Sequence, residues 1–331
     1  MMRLPPFRYL APKTAREAAK MLADHAADEA MPVAGGTDLY PNMKRRQFTP
    51  RVLVGLSRVE NSRRVSGTAK DGITIGGMMT LTRVENDELL ETHYPAIATA
   101  AALVSAPVLR NMGTVGGNLC VDTRCNYYNQ SYEWRKSINF CMKKDGEICW
   151  VAPSSSRCWA VSSSDTAPVF IALDAECTLV GPEGERRVPV RSLYQHDGIE
   201  FLKKRREEIL TEIHVPKVGA RRATYLKLRR RDSIDFPILG VAAAIETAKD
   251  GTIEKARIVL TAVESAPVEA GKAEALLVGN KLTEDVIEEA ASLAYRPAKP
   301  LDNTDLTNAY RKKMARVYVA RALRELMRAE P

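Results

Sequence analysis

The chain has 331 residues, of which 45% are hydrophobic and 27% are charged. This composition excludes an intrinsically disordered chain, and the length suits two or three sub-domains rather than one small core. Lys and Arg outnumber Asp and Glu by 49 to 41, and the resulting net charge of +8 is too small for this length to indicate a nucleic-acid-binding protein. The six cysteines and three tryptophans all fall within residues 120–177, so one stretch differs chemically from the rest.

Neither a secretory signal nor a membrane span is predicted. Residues 1–7 are followed by no apolar stretch, and the most apolar window, 95–109, is shorter than the ~20 residues that cross a bilayer. We therefore expect a cytoplasmic protein with no membrane partner. Thiols stay reduced in that compartment, where clustered cysteines favour metal or redox chemistry over disulfides.

Residues 1–57 are predicted to form a small βαβ-like unit. Thr14 and Glu17 have the spacing of a capping box at the start of a helix. Two short apolar runs follow the helix, at 31–34 and 52–54, and both are strand candidates.

Residues 58–216 are predicted to form a second sub-domain that ends at a Pro- and Gly-containing boundary. Its predicted elements are a hairpin at Asp71-Gly72, one or two Ala-rich helices over 89–109, and strands over 170–180 and 209–215.

Residues 217–331 are predicted to form a C-terminal domain of antiparallel sheet and helices. The strand candidates are 224–229, 239–245 and 256–263, with a turn at Asp250-Gly251. Helical periodicity covers 285–293 and 308–327, with acidic residues early and basic residues late, as the helix dipole prefers.

Two glycine-containing loops are candidates for binding a phosphate group. They are Pro32-Val33-Ala34-Gly35-Gly36-Thr37-Asp38-Leu39 and Gly113-Thr114-Val115-Gly116-Gly117-Asn118-Leu119. Adjacent glycines permit positive φ and close backbone approach, so that N–H groups and a Thr hydroxyl can face an anion. Neither loop is a Walker or G-x-G-x-x-G motif, and either alone is at least as typical of a tight turn. The pair is more informative, because a pyrophosphate held between two sub-domains needs a loop from each.

Four cysteines, Cys125, Cys141, Cys149 and Cys158, follow one another at intervals of 16, 8 and 9 residues. No C-x-x-C pair occurs, which disfavours a structural zinc site, and the spacing is not that of the compact ferredoxin motif. Four separate ligands in a wide loop are compatible with a 4Fe-4S cluster. A small excess of basic residues would offset the negative charge of the cluster, and an aromatic mini-core would shield it from water. On spacing alone, a cluster, a zinc site and a chance group of reduced cysteines stay open. Cys120 and Cys177 lie outside this set and are predicted to be buried thiols.

The two loops together resemble those of the FAD-binding medium subunits of the molybdenum hydroxylase (xanthine dehydrogenase) family. Ser164-Asp165-Thr166-Ala167-Pro168 is similar to a further Ser-Asp-x-x-Pro element of that family. The resemblance covers nearly the whole chain. It implies an α+β fold, with a two-sub-domain FAD-binding unit (vanillyl-alcohol-oxidase or PCMH-like) before a C-terminal domain of antiparallel sheet and helices.

FAD is the cofactor that this resemblance implies. The stretch Pro32 to Leu39, which contains Val33, Ala34, Gly35, Gly36, Thr37 and Asp38, would wrap the pyrophosphate. Thr114, Gly117 and Asn118 would approach the pyrophosphate and ribityl region, and Asp165 would hydrogen-bond the ribityl or ring side. Leu210 and Lys227 match family positions near the flavin, although strand alternation leaves open that Lys227 is a solvated strand lysine.

Residues 121–163 correspond to an insertion that ordinary members of the family lack. The stretch from Cys120 to Gln130 and the cysteine spacing are similar to the β subunits of 4-hydroxybenzoyl-CoA reductases, in which the inserted loop binds a 4Fe-4S cluster. The resemblance therefore implies four ligands, Cys125, Cys141, Cys149 and Cys158.

The same resemblance implies an electron-transfer subunit with no catalytic, molybdenum-binding or substrate-binding residues. Electrons would pass from ferredoxin through 4Fe-4S and FAD to a small 2Fe-2S subunit and a large molybdopterin subunit, in a heterotrimer that dimerises. There, 4-hydroxybenzoyl-CoA would be reductively dehydroxylated to benzoyl-CoA. One alternative is the same type of subunit serving another substrate, and another is a flavoprotein with a purely structural cluster. A zinc-stabilised nucleic-acid-binding protein would leave both glycine loops unexplained, and we expect no nucleic-acid partner.

Overall fold

The computed structural model describes residues 3–27, 29–60 and 62–328 of the chain. The described residues form three sheets, one in each of three consecutive parts of the chain. Helices lie between the strands of the first two parts and mostly follow the strands of the third. None of the helices in these ranges is long and apolar enough to cross a membrane.

The N-terminal unit is a three-stranded parallel sheet with two helices. Its elements are β1 (Arg8–Leu10), α1 (Ala15–Ala23), β2 (Ala30–Val33), α2 (Leu39–Lys44) and β3 (Val52–Gly55), followed by a 3-10 turn (Leu56–Arg58). The strand order is β1-β3-β2, and both pairings are parallel. The predicted capping residue begins α1, because the Thr14 hydroxyl accepts the Glu17 N–H at 3.1 Å. The βαβ-like unit is therefore confirmed.

The second unit is a five-stranded antiparallel sheet with seven short helices. Its elements in chain order are β4 (Val65–Thr68), β5 (Gly72–Gly76), α3 (Leu81–Glu85), α4 (Glu88–His93), α5 (Pro95–Ala102), α6 (Pro107–Arg110), α7 (Val115–Leu119), α8 (Tyr132–Ser137), α9 (Thr166–Ala172), β6 (Glu176–Val180), β7 (Glu185–Pro189), a 3-10 turn (Val190–Leu193) and β8 (Ile209–Val215). The strand order is β4-β5-β8-β6-β7.

Two predictions in this unit were wrong in detail. The Ala-rich stretch forms three short helices, because Pro95 and Pro107 each begin a new helix and lack the N–H that would continue the preceding one. The first part of the apolar run at 170–180 belongs to helix α9 and not to a strand. Every residue of α9 is buried, so its sequence shows no polar face that would reveal helical periodicity.

The C-terminal domain is a four-stranded antiparallel sheet followed by helices, as predicted. Its elements are β9 (Arg221–Leu228), β10 (Leu239–Thr247), β11 (Ile253–Thr261), β12 (Val268–Glu269), α10 (Gly271–Leu277), α11 (Glu284–Ala294) and α12 (Asn308–Arg328). The order is β12-β11-β10-β9. The short strand β12 and the helix α10 were not predicted.

The C-terminal sheet lies between two hydrophobic cores. Ala242 and Ala244 of β10 pack into a core that is shared with α5, α9 and the sheet of the second unit. Val241 and Ala243 belong to the core that the sheet makes with α10, α11 and α12. Because successive side chains of a strand point to opposite faces, β10 contributes to both cores and joins the second unit to the C-terminal domain.

Candidate functional site

The two glycine-containing loops lie directly against each other. Gly35 in the first loop is so close to the second that a β-carbon there would stand 1.8 Å from the carbonyl oxygen of Met112. A β-carbon at Gly117 would lie 3.8 Å from that of Ala34. Only glycine permits the first of these approaches, and the backbones of the two loops consequently form one continuous surface.

Gly36 provides the turn in the first loop. Its φ of +72° lies in the left-handed region that favours glycine. A β-carbon on Gly36 would stand 2.2 Å from the Tyr40 ring, and the Tyr40 N–H donates to the Gly36 carbonyl at 3.0 Å. The loop therefore turns sharply into α2, which keeps Thr37 and Asp38 at the junction.

The second loop is held by side-chain hydrogen bonds at its helical end. The Gly117 N–H donates to the Thr114 hydroxyl at 3.1 Å, which caps α7. The side-chain oxygen of Asn118 accepts three hydrogen bonds, from the Ser164 hydroxyl at 2.9 Å and from the N–H and hydroxyl of Thr166 at 3.1 and 2.8 Å. Asn118 thus joins the second loop to the Ser-Asp-x-x-Pro segment.

A buried carboxylate–ammonium pair lies beside this segment. Asp165 and Lys227 are 3.0 Å apart, with their side chains 3% and 0% exposed. Tyr225 donates its hydroxyl to the second carboxylate oxygen at 2.7 Å. Burial raises the pKa of Asp165 and lowers the pKa of Lys227, while the attraction between the two charges opposes both shifts.

Lys227 directs its ammonium group into the protein. Besides Asp165, its acceptors are the backbone carbonyls of Leu103 and Asp235, both at 2.8 Å. An ammonium group has three donors, and these three bonds use all of them. The alternative of a solvated strand lysine is therefore wrong, and Lys227 fixes the relative positions of α5, α9 and β9.

Leu210 lies behind the second loop. Its side chain is in the main core of the second unit. Its carbonyl oxygen would be 2.7 Å from a β-carbon on Gly77, and the Gly77 carbonyl accepts the Gly116 N–H at 2.9 Å. The structure connects Leu210 to the second loop through Gly77, and its contact with the flavin stays a prediction.

The cysteine segment is a loop closed at its base by two backbone hydrogen bonds. Arg124 and Val161 form an isolated antiparallel bridge, with N···O distances of 2.9 and 2.8 Å. The four predicted ligand cysteines lie between these two residues, and each is between 4% and 6% exposed. All six cysteines are free thiols. Of the residues outside the set, Cys177 is buried as predicted, whereas Cys120 is half-buried.

The buried thiols influence one another electrostatically. Burial, together with the nearby Cys158 and Cys141, raises the pKa of Cys125 to about 12. Burial also raises the pKa of Cys158 to about 11, with Lys143 acting in the opposite direction. Within 3–27, 29–60 and 62–328, no group of three or more His, Cys, Asp or Glu side chains is gathered as ligands of a single metal ion would be.

The predicted aromatic mini-core around the cysteines is only partly present. Tyr128 is 1% exposed and packs with Cys125, Cys141 and Cys158. The two tryptophans Trp134 and Trp150 lie at the surface instead, with 39% and 37% exposed. The rings of this segment therefore divide between a small interior and an outer face.

The segment also buries basic side chains. Lys143 donates to Asp122, to the Thr123 hydroxyl and to the Gly198 carbonyl, at 2.6 to 2.8 Å. Arg135 is fully buried, and its Nε and Nη1 atoms have no hydrogen-bond partner within the described residues. A buried cation with unsatisfied donors is costly unless an anionic group lies nearby, and Asp145 supplies one at 3.7 Å from Nη1.

The cysteine segment is attached to the first loop and to the helix that follows it. Arg124 forms an ion pair with Asp38, and its Nη1 donates to the Asn42 side chain at 3.1 Å. Further along the segment, the Arg135 guanidinium donates to the Arg45 carbonyl at 3.0 Å. Both glycine loops therefore touch the segment, since the second loop leads into it along the chain.

Two residues of this site were not among the predicted site residues. Tyr225 is a buried position of strand β9, but alternation alone does not connect it to Asp165. Arg124 is adjacent to Cys125, and the sequence showed only that a basic residue lies next to a cysteine. Its pairing with Asp38 joins two parts of the chain that are far apart in sequence.

Comparison with known proteins agrees with this geometry. Residues 5–218 match a family model described as the FAD binding domain in molybdopterin dehydrogenase, and residues 223–326 match the CO dehydrogenase flavoprotein C-terminal domain. The fold and the two apposed loops thus define an FAD-binding protein. The chain belongs to the FAD-binding medium subunits of the molybdenum hydroxylase family, as its sequence resemblance implies, and the predicted fold class is confirmed.

The relatives align over almost their full length. The carbon monoxide dehydrogenase medium chain of Afipia carboxidovorans is 29% identical, with 96% of this chain and 95% of the relative covered. The 6-hydroxypseudooxynicotine dehydrogenase complex subunit alpha of Paenarthrobacter nicotinovorans is 25% identical, over 100% and 98% of the two chains. A solved structure of the Cu,Mo-CO dehydrogenase superposes with a TM-score of 0.80 at 27% identity, covering 98% of each chain. The relatives are named for different substrates, and family membership makes the chain an oxidoreductase subunit of the molybdenum hydroxylase family.

Proposed function

We propose that the chain is the FAD- and 4Fe-4S-containing electron-transfer subunit of a molybdenum-dependent 4-hydroxybenzoyl-CoA reductase. The observation that carries this proposal is the cysteine segment, in which four buried free thiols lie in one closed loop that is ion-paired to the first glycine loop. Membership of the family supports FAD as a cofactor. The proposed substrate rests on the resemblance of the inserted segment to that of 4-hydroxybenzoyl-CoA reductase β subunits.

The two loops fit a bound dinucleotide. The backbones of the two loops lie close together at Gly35, and Gly117 is exposed. The loops therefore offer a surface without side-chain bulk, as a pyrophosphate requires. We infer that residues Pro32 to Leu39 hold FAD from one side and Thr114, Gly117 and Asn118 from the other. Asp165, Leu210 and Lys227 would then support the flavin side of the site, with Lys227 acting through Asp165 because its donors are engaged in the protein.

The four cysteines of the segment match the number of ligands that a 4Fe-4S cluster needs. In a 4Fe-4S cluster each cysteine binds a different iron, so the four sulfurs stand further apart than the ligands of one zinc ion. The cysteines of the segment lie in one closed loop and are near enough to influence one another electrostatically. Two buried cations of the segment, Lys143 and Arg135, lie beside one carboxylate each, Asp122 and Asp145.

The two cofactors would supply complementary redox chemistry. FAD exchanges one or two electrons and a cluster exchanges one, so together they connect one-electron and two-electron partners. The partners that we propose are a ferredoxin donor, a small 2Fe-2S subunit and a large molybdopterin subunit. The residues of this chain bind and orient the cofactors, and the substrate would be bound elsewhere in the complex.

Metal analysis combined with a visible spectrum tests the cofactor content. We expect anaerobically purified protein to contain four irons and one FAD per chain, with flavin bands over a broad iron–sulfur absorption. Zinc in place of iron would overturn the cluster and favour a zinc site in the cysteine segment. Flavin without iron would overturn the cluster while leaving the family assignment intact.

Substitution of a predicted ligand tests which residues hold the iron. Cys141→Ser should lose the cluster and still bind FAD supplied in excess, because Cys141 lies in the cysteine segment and not in the glycine loops. Cys177→Ser is the matched control, since Cys177 is also a buried free thiol but lies in β6. Full iron content in the Cys141 variant would show that the ligand assignment is wrong.

Assay of the assembled enzyme tests the substrate. The chain purified with its neighbouring subunits should oxidise reduced ferredoxin when 4-hydroxybenzoyl-CoA is added, with benzoyl-CoA as the product. Turnover of another aromatic or aldehyde substrate, with no benzoyl-CoA formed, would favour the same type of flavin subunit in a different molybdenum enzyme.

A further inference from the structure

Arg124 occupies the junction between the two proposed cofactor sites. Its backbone closes the base of the cysteine segment through the bridge to Val161. Its side chain leaves the segment and pairs with Asp38 at the end of the first glycine loop. No other residue described above belongs to the base of the one site and contacts the binding loop of the other.

The guanidinium group is held in one place by several neighbours. It is 6% exposed, and its Nη1 atom donates to the side-chain oxygens of Asn42 at 3.1 Å and Asn129 at 3.3 Å. The Phe236 ring lies over the guanidinium at 4.8 Å. An arginine has a planar fork that can satisfy several acceptors at once, and a lysine could not reproduce this set of contacts.

Asp38 is fixed in turn by α2. The Asn42 side chain donates to Asp38 Oδ2 at 3.1 Å, while Arg124 takes Oδ1. Asn42 is fully buried and therefore has little freedom to follow Asp38 if the carboxylate moves. The guanidinium at the base of the cysteine segment is consequently one support of the first loop, at Asp38.

We propose that Arg124 is a positioning residue that couples FAD affinity to the occupancy of the iron–sulfur site. This inference rests on the proposed function, because it needs both cofactors. Metal ligation would order the loop between Arg124 and Val161 and hold the guanidinium against Asp38. Without the metal, four buried thiols lose their common ligand, the base of the loop loosens, and the first glycine loop loses one of its supports.

Such coupling acts in both directions. If an occupied cluster site raises the affinity for FAD by some factor, bound FAD must stabilise the cluster by the same factor. The expected factor is about tenfold, within the range that is usual for coupled sites. The subunit would therefore favour the state in which both redox centres are present over states with only one.

The test measures FAD binding to the full chain with and without iron. Iron-loaded and anaerobically chelated proteins are titrated with FAD, and flavin fluorescence gives the dissociation constant of each. Wild-type protein should bind FAD about tenfold more weakly after iron removal. In Arg124→Met the two forms should bind FAD with equal affinity, and Arg124→Lys should retain part of the difference because it keeps the charge. A Met variant that retains the full wild-type ratio would overturn the proposal.

Arg221→Met is the matched control. Arg221 is also a largely buried arginine, 11% exposed, that pairs with a carboxylate, Glu246, and donates to a backbone carbonyl. It touches neither the glycine loops nor the cysteine segment in any contact described here. Its substitution should lower stability and leave the ratio of FAD affinities unchanged. An equal loss of the ratio in this control would mean that general destabilisation explains the effect.

Hydrogen exchange on wild-type protein gives a second measurement that needs no variant. Amide protection in residues 34–42 should fall when iron is removed, because the opening of the first loop becomes easier. Unchanged protection there would also overturn the coupling. Wild-type protein that binds FAD but never binds iron would overturn the proposed cluster, and with it the coupling, whereas iron-loaded and iron-free proteins of equal FAD affinity would overturn the coupling alone.

Discussion

Gly35→Ala is the smallest change that should separate the two glycine loops. The added β-carbon would stand 1.8 Å from the Met112 carbonyl oxygen, 2.5 Å from its carbon and 3.0 Å from the Gly113 nitrogen. Ordinary contact begins at 3.4 Å, so the backbone of the second loop must move away. The atoms in the way belong to the backbone, and no side-chain rotation can relieve the clash.

The magnitude follows from the two ways in which the strain can be released. Overpacking of this kind costs about 1–3 kcal/mol. If the folded protein retains the clash, the free energy of unfolding falls by that amount. If the loops part instead, the same energy must be supplied again when FAD draws them together, and FAD affinity falls by about 5- to 150-fold, at tenfold per 1.4 kcal/mol.

The assay measures the FAD retained per chain after desalting, and the melting temperature of the same samples. Gly184→Ala is the control, because a β-carbon there meets no atom within 4 Å. We expect the control to keep wild-type values and the Gly35 variant to lose FAD, stability or both. Wild-type flavin content together with wild-type stability in Gly35→Ala would refute the apposition of the two loops.

Three further predictions concern other parts of the molecule. Gly198→Ala should lower iron content while the chain still binds FAD supplied in excess, because its β-carbon would stand 2.7 Å from Cys158 Sγ. Gly181→Ala, with its nearest contact at 3.7 Å, is the control for the iron assay. Lys227→Met should lower the free energy of unfolding by about 3–5 kcal/mol in urea denaturation, because it leaves the Asp165 carboxylate buried without its cation, and the double variant with Asp165→Asn should recover part of the loss. Burial lowers the pKa of His214 below its usual 6.5, so the unfolded state binds more protons and stability should fall as the pH drops through that value; His214→Gln should reduce this slope, and an unchanged slope would contradict the assignment.

The sequence was sufficient where a local signal is sharp. The strand Ile209–Val215 was predicted with the bounds that the structure shows, because polar and Pro-containing stretches flank its apolar residues. The helix cap at Thr14 was likewise predicted from two residues, Thr14 and Glu17. Helix α9 was missed because a fully buried helix shows no alternation between an apolar and a polar face.

The individual loops of the site could be predicted from the sequence, but the contacts between them could not. Both glycine loops were visible in the sequence, since adjacent glycines are a local signal. That Gly35 packs on the Met112 backbone and that Arg124 reaches Asp38 depends on how the two units meet, which no local pattern encodes. The exposed positions of Trp134 and Trp150 were also beyond the sequence, because aromatic composition does not distinguish an interior from an outer face.

The division of β10 between two cores means that the two parts matched by separate family models cannot be treated as separable modules. A chain cut near residue 220 would strip from the second unit the apolar face that Tyr225, Ala242 and Val259 supply. It would also remove the lysine that neutralises Asp165. The boundary between the two family models is therefore not a boundary between independently folding domains. A truncated FAD-binding fragment would expose an apolar surface and an unpaired carboxylate that are buried in the intact subunit.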